Sequence, residues 1–229
     1  VTYLKEGMKF CMWHPDARPV LALVDPELTL GLPPSLTAWT GVDAMVHAIE
    51  GYCVPGFNPL CDGSAIESLS LISKSLYLAV EEPKNLVARG GMHVGSYLGG
   101  VAFLKGLGLV HAISHMVGAE FNTQHGLTNA IILPVVLRYN LSGMDEKVKR
   151  MSEAMQFEDH SIEAFITNIE KMLDRLNIPK SLSEIGVPED CVERIAKKAM
   201  KDQAYATNPK IATLEEVKEM TLASIKKAR

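Results

Sequence analysis

Beyond residue 34 the chain is punctuated for helices. Ile162, Phe165, Ile166, Ile169, Met172, Leu173 and Leu176 recur every three or four residues with charges between them. That is the pattern of an amphipathic helix, which must bury one stripe against a neighbour. Proline follows Asn58, Glu82 and Val187, and it is well tolerated at the first helical position because its missing N–H would be unpaired there. Asn58 is also a good N-cap residue. Thr213-Leu-Glu-Glu216 fits the capping box, in which hydroxyl and carboxylate reciprocally satisfy orphan backbone donors. These signals predict helices near 35–52, 59–80, 84–105, 109–119, 125–139, 144–156, 161–177, 189–200 and 213–227. Pro134 predicts a kink in the fifth of them. The expected fold class is all-α, with no internal repeat.

The first thirty residues read differently. Pro19-Val-Leu-Ala-Leu-Val24 is a short apolar run between Pro19 and Asp25-Pro26, which suits a buried strand. A lone strand is not stable, so its partners are expected from residues 1–12, from another chain, or from protein outside these residues.

The 229 residues, 47% of them apolar, suffice for one good-sized core or two small ones. Net charge is −4, with 23 Lys and Arg against 27 Asp and Glu and no long run of either sign, so the basic footprint of a nucleic-acid binder is missing. The longest apolar stretches, such as Ala130–Leu133 and Val135–Leu137, fall far short of the ~20 residues a membrane-crossing helix needs. No membrane partner is expected. Residues 1–15 show neither an apolar core nor a cleavage site of a secretory signal. Cys11, Cys53, Cys61 and Cys191 have no C-x-x-C spacing and are too few for a disulfide framework. A reducing cytoplasm is the expected location, and a homodimer the expected assembly.

Four of the seven histidines stand out by context. Asp43 and His47 lie at i and i+4, so on a helix carboxylate and imidazole meet on one face. His111 and His115 repeat that spacing in an apolar segment, where burying both without a metal or hydrogen bonds would be costly. His125 follows fourteen residues after His111. On one continuous helix that step would separate them by ~21 Å, so a break is required, and Gly118 and Asn122-Thr123 supply turn chemistry for it. Asp43, His47, His111 or His115, and His125 can then converge. One carboxylate with three imidazoles suits Fe²⁺ or Zn²⁺ rather than Mg²⁺ or Ca²⁺, which prefer oxygen ligands. Glu50, one turn beyond His47 on the same face, reads as a solvated or structural carboxylate. His14, His93 and His160 have no companion that suggests chemistry.

Other metal chemistries are excluded by what is absent. His111-Ala-Ile-Ser-His115 has alanine where a zincin carries its glutamate base. No histidine has glutamate three residues before it, which removes the di-iron bundle motif, and no His-Asp dipeptide occurs.

Pro33-Pro-Ser-Leu-Thr-Ala-Trp-Thr-Gly41-Val-Asp43-Ala-Met-Val-His47-Ala-Ile-Glu-Gly-Tyr52, then Gly106-Leu-Gly-Leu-Val-His111-Ala-Ile-Ser-His115-Met-Val-Gly118, then His125-Gly-Leu-Thr-Asn-Ala130 together resemble the signature regions of the iron-containing alcohol dehydrogenases. Val24-Asp-Pro-Glu-Leu28 and Thr207-Asn-Pro209 extend the resemblance over nearly the whole chain. It implies a two-domain enzyme, with an N-terminal α/β domain for a nicotinamide dinucleotide and a C-terminal helical domain for the metal. By similarity Asp43, His47, His111 and His125 are the ligands of Fe²⁺, or Zn²⁺, and His115 is the catalytic candidate beside the nicotinamide. There, an imidazole can orient substrate or pass the alcohol proton outward. Met116 and Thr123-Gln124 depart from the common pattern of the family and bear on pocket shape. Phe121 and Trp39 are candidates for the pocket walls.

No Gly-rich turn of the dinucleotide-binding type occurs in these residues. Residues 1–34 are therefore expected to be remnant strands and linker of the coenzyme domain, and 35–229 the helical metal domain. The implied activity is NAD(P)-linked oxidation of an alcohol, or reduction of an aldehyde or ketone, with the metal as Lewis acid and the coenzyme carrying the hydride. The alternative is a non-catalytic metal-binding or interaction module, separated by whether coenzyme-dependent alcohol oxidation occurs. A hydrolase using metal-bound water would need a base these motifs do not supply.

Overall fold

The computed structural model describes residues 2, 3, 5, 7–9, 14–17 and 19–229. Its frame is helical, and α1 (Pro34–Cys53) runs through the middle of it. Pro34 opens α1 and Val54 closes it in an extended conformation, as a residue ahead of Pro55 prefers. Most of α1 is buried, because α2 (Pro59–Glu81), α3 (Leu86–Ala102) and α5 (His125–Asn140) all pack on it. Small residues on α1, among them Ala38, Gly41, Ala44 and Ala48, let these neighbours approach.

Asn58 caps α2 by accepting the Cys61 N–H. Pro83 does not open the next helix: Asn85 caps α3 through the Ala88 N–H, and the chain tightens to a 3-10 turn at Phe103–Lys105. α4 (Leu109–Phe121) packs on α5 and on α8 (Val192–Ala199). α5 continues through Pro134 to Asn140. α6 (Asp145–Ala154) and α7 (Ile162–Arg175) follow, and the apolar stripe of α7 buries Phe165, Ile166, Ile169, Met172 and Leu173. A short α9 (Gln203–Ala206), which the apolar periodicity did not reveal, precedes α10 (Leu214–Lys226). The capping box of Thr213 with Glu216 is formed at the start of α10.

The buried strand expected at Pro19–Val24 is not formed. The segment has no regular structure, and Val20, Leu21 and Leu23 lie open to solvent. The physical reason is the missing ladder: among the described residues the only strand pair is β1 (Thr2–Tyr3) against β2 (Met8–Lys9), antiparallel, with Thr2 opposite Lys9 and Tyr3 opposite Met8. Cys53, Cys61 and Cys191 are free and buried; Cys11 lies outside the described residues. Among the described residues no single helix is long and apolar enough to cross a membrane.

Candidate metal centre

The centre is built where α1, α4 and α5 meet. Asp43 and His47 project from one face of α1, with His47 Nε2 3.9 Å from Asp43 Oδ1. His111, in the first turn of α4, brings its Nε2 to 3.7 Å from the same oxygen. Ligand atoms of Asp43, His47 and His111 all lie within 4.8 Å of one another. His125 reaches the group from the first residue of α5, its Nε2 also 3.7 Å from Asp43 Oδ1. The break that permits this is at Asn122, which takes a left-handed conformation, while Gly118 stays inside α4. Gln124 then caps α5 by accepting the Leu127 N–H.

The close approach of α5 to α1 requires Gly126. A Cβ there would stand 2.3 Å from the Trp39 carbonyl oxygen and 3.1 Å from the Asp43 Cβ. Glycine next to His125 therefore sets how near that imidazole comes to Asp43.

Two neighbours fix the tautomer of His111. Its Nδ1 lies 2.7 Å from Glu50 Oε2, while Glu50 Oε1 accepts the Val110 N–H at 2.8 Å. On the other side, the Asn129 Nδ2 amide stands 3.2 Å from His111 Nε2, 3.2 Å from His125 Nε2 and 2.6 Å from Asp43 Oδ1. The amide has two hydrogens for these three acceptors, so it serves Asp43 Oδ1 and one imidazole; with Glu50 ionised, His111 Nδ1 is the N–H that donates to Oε2 and the lone pair of the ring lies on Nε2. This is the orientation of a metal-ligating histidine backed by a carboxylate. Glu50 is thus buried and structural, not solvated.

Burial pushes the Glu50 carboxyl up to about 7, against the pull of the backbone N–H groups of Val110, Gly108 and His111. Burial likewise drives His111 well below the usual imidazole range, and His125 down to about 4 despite the opposing pull of Asp43. Asp43 feels burial as an upward push, yet His47, His111, His125 and the Asn129 hydrogen bond outweigh it and hold the carboxyl below its usual value. At neutral pH His111 and His125 are therefore neutral and Asp43 is anionic, the states that bind a cation.

Asp43, His47 and His111 form a mutually close group of the kind that could hold a metal ion, and His125 joins it through its approach to Asp43 Oδ1. Four donors at 2.0–2.1 Å in a tetrahedron stand roughly 3.4 Å apart, within half an ångström of the separations between Asp43 Oδ1 and the three histidine nitrogens. The Asn129 amide, with the partial positive charge of its two hydrogens, is drawn to the same lone pairs.

His115 lies one turn along α4 and is not beside Asp43. Its Nδ1 is 2.9 Å from Asp202 Oδ2, and its ring stacks on His125 with centroids 5.4 Å apart. Together with His47, His111 and His125 it lines a cavity of about 510 Å³. Phe103, Leu104, Leu107, Gln203 and Thr207 supply other walls, whereas Phe121 and Trp39 do not line it. Phe103 stands 5.0 Å from the His47 ring, centroid to centroid. The Thr207–Asn208 pair, distant in sequence, anchors the α4 entrance. Thr207 Oγ1 binds both backbone groups of Leu107, and Asn208 Oδ1 accepts the Leu109 N–H. His14, His93 and His160 stand apart from the cavity; His160 Nε2 meets the Phe157 carbonyl.

Asn129 and Asp202 were missed by reasoning from sequence. Asn129 carried a usable signal, an amide one turn after His125 on the same helix face, just ahead of the apolar run Ala130–Leu133. Asp202, 87 residues from His115, carried none.

Fold and site together define a class: an all-helical domain with one carboxylate and three imidazoles gathered where three helices meet, the imidazoles lining a cavity. The chain matches the Fe-containing alcohol dehydrogenase family, C-terminal, over residues 37–225, and it belongs to that family. It is 36% identical to the NAD-dependent methanol dehydrogenase of Bacillus methanolicus, over 88% of this chain and 55% of that protein. Identity is also 36% with the lactaldehyde reductase of Escherichia coli (strain K12), over 96% and 59%. Among solved structures, a 1,3-propanediol oxidoreductase superposes with a TM-score of 0.84 at 35% identity, covering 88% of this chain and 55% of that one. An iron-containing alcohol dehydrogenase from Thermococcus thioreducens gives 0.84 at 31%, covering 92% and 56%. The chain thus spans little more than half the length of these relatives.

Proposed function

We propose that residues 35–229 are the metal-binding domain of an NAD(P)-linked alcohol dehydrogenase. Its ligands are Asp43, His47, His111 and His125, its metal is Fe²⁺ with Zn²⁺ as the competitor, and its substrates are small alcohols and the corresponding aldehydes or ketones. The observation that carries this reading is the convergence of four donors from three helices, with the lone pair of His111 turned inward by Glu50. When bound, the metal supplies Lewis-acid polarisation of the substrate oxygen.

The chain's own residues do the rest. Phe103, Leu104 and Leu107 give the cavity an apolar wall that excludes water from a small carbon chain, while Gln203 and Thr207 add polar groups. His115 stands at the cavity with one nitrogen tied to Asp202, so it can orient a substrate hydroxyl. The described residues hold no strand and Gly-rich turn of the dinucleotide type, and residues 1–34 are proposed as part of the domain that does. The free thiols of Cys53, Cys61 and Cys191 support a reducing cytoplasm.

The test is coenzyme-dependent alcohol oxidation by the polypeptide that carries this chain, read together with its metal content. His111→Ala should lose both metal and activity, whereas His115→Ala should keep the metal and lose turnover. Full metal occupancy in His111→Ala, or a metal-loaded protein that oxidises no alcohol with either coenzyme, would contradict the reading.

A further inference from the structure

We propose that Asp202 is a positioning residue that fixes the tautomer of His115, leaving an unprotonated Nε2 for the hydroxyl of the substrate. This rests on the reading of the cavity as an alcohol site. Both carboxylate oxygens of Asp202 are committed: Oδ2 lies 2.9 Å from His115 Nδ1, and Oδ1 accepts the Ala204 N–H at 2.8 Å as the N-cap of α9. The side chain is only 5% exposed, so water does not replace either partner. An ionised carboxylate accepts and cannot donate. His115 Nδ1 must therefore carry the hydrogen, and the lone pair of the neutral ring falls on Nε2.

The ring is packed between two other imidazoles. It stacks on His125 and meets His111 edge-on, with centroids 5.4 and 5.7 Å away. The segment that bears Asp202 is itself tied to the entrance of α4 through Thr207 and Asn208. Asp202 thus does for His115 what Glu50 does for His111. One carboxylate turns a lone pair towards the donor cluster, and the other turns a lone pair towards the cavity.

Asp202→Asn separates this role from a structural one. Asparagine has a single carbonyl oxygen, which the Ala204 N–H requires, and it is an excellent N-cap. The NH₂ group is then left facing His115 Nδ1 and forces the ring hydrogen onto Nε2. Long-range ¹H–¹⁵N correlations in the zinc-loaded, histidine-labelled chain should show Nδ1–H at His115 in the wild type and Nε2–H in the variant. In the alcohol-oxidation assay kcat should fall at least about tenfold with metal content unchanged. An Nε2–H tautomer in the wild type would overturn the inference without any variant, and so would a flipped tautomer with unchanged kcat. Failure of the alcohol-site reading would appear instead as a wild type that oxidises no alcohol, which the tautomer measurement does not depend on.

Discussion

Gly126→Ala is the substitution that best probes how the centre is assembled. The added methyl would meet the Trp39 carbonyl oxygen at 2.3 Å and the Trp39 carbonyl carbon at 2.9 Å. Both are backbone atoms of a buried helix, so no side chain can swing aside. To restore even a 3.0 Å contact, α5 must move from α1 by roughly 0.7 Å. Overpacking of this kind costs about 1–3 kcal/mol, equivalent to roughly 2–12 °C in Tm for a domain of this size. The displacement matters more at the site, because metal–ligand distances tolerate only about 0.2 Å. His125 moves with α5 while Asp43 and His47 stay on α1, so metal affinity should fall at least tenfold. Thermal melts of the metal-free chain and a zinc competition titration read the two effects separately. Gly90→Ala is the control: nothing lies within 4 Å of a Cβ there, and alanine should be neutral or stabilising by up to about 1 kcal/mol. If Gly126→Ala melts and binds zinc like the wild type, the close approach of α1 and α5 does not set the ligand geometry.

Two further outcomes are expected. In the metal-free fold Glu50 holds its proton up to about pH 7, whereas the unfolded chain releases it near 4.5; the stabilisation is therefore complete below pH 4.5 and is lost as pH rises through 7. About 3 kcal/mol is at stake over that window, so denaturation at pH 5 and pH 8 should show the wild type losing stability relative to Glu50→Gln, and parallel curves would contradict the assignment. Thr213→Ala removes the capping box of α10 and should lower stability by about 1 kcal/mol without changing metal affinity; an unchanged Tm would mean that the cap contributes nothing to the fold.

Much of the helical frame was legible because it is punctuated locally. Asn58, Thr213 and the stripe of α7 act within a turn or two of themselves, and each stands where its spacing placed it. The i, i+4 pairs were legible for the same reason. Which member of the His111/His115 pair faces Asp43 was not. That choice depends on the rotation of α4 about its axis, set by Glu50 from α1 and Asp202 from beyond α8. Long-range partners of this kind leave no periodicity in the sequence. Pro19–Val24 failed in the opposite direction: its composition is that of a strand, but a strand exists only where a neighbour completes the ladder. Pro83 misled because it belongs to the turn before Asn85 rather than to the helix after it.

The central claim is that a single divalent ion binds where α1, α4 and α5 meet. Anomalous diffraction from crystals of the metal-loaded chain, collected above and below the iron and zinc edges, tests it directly. The account predicts one peak per chain, within about 2.0–2.2 Å of Asp43 Oδ1 and of the Nε2 atoms of His47, His111 and His125, with the Asn129 amide displaced from the position it takes among them. A peak at another group of residues, or one that persists at full height in His125→Ala, would contradict it.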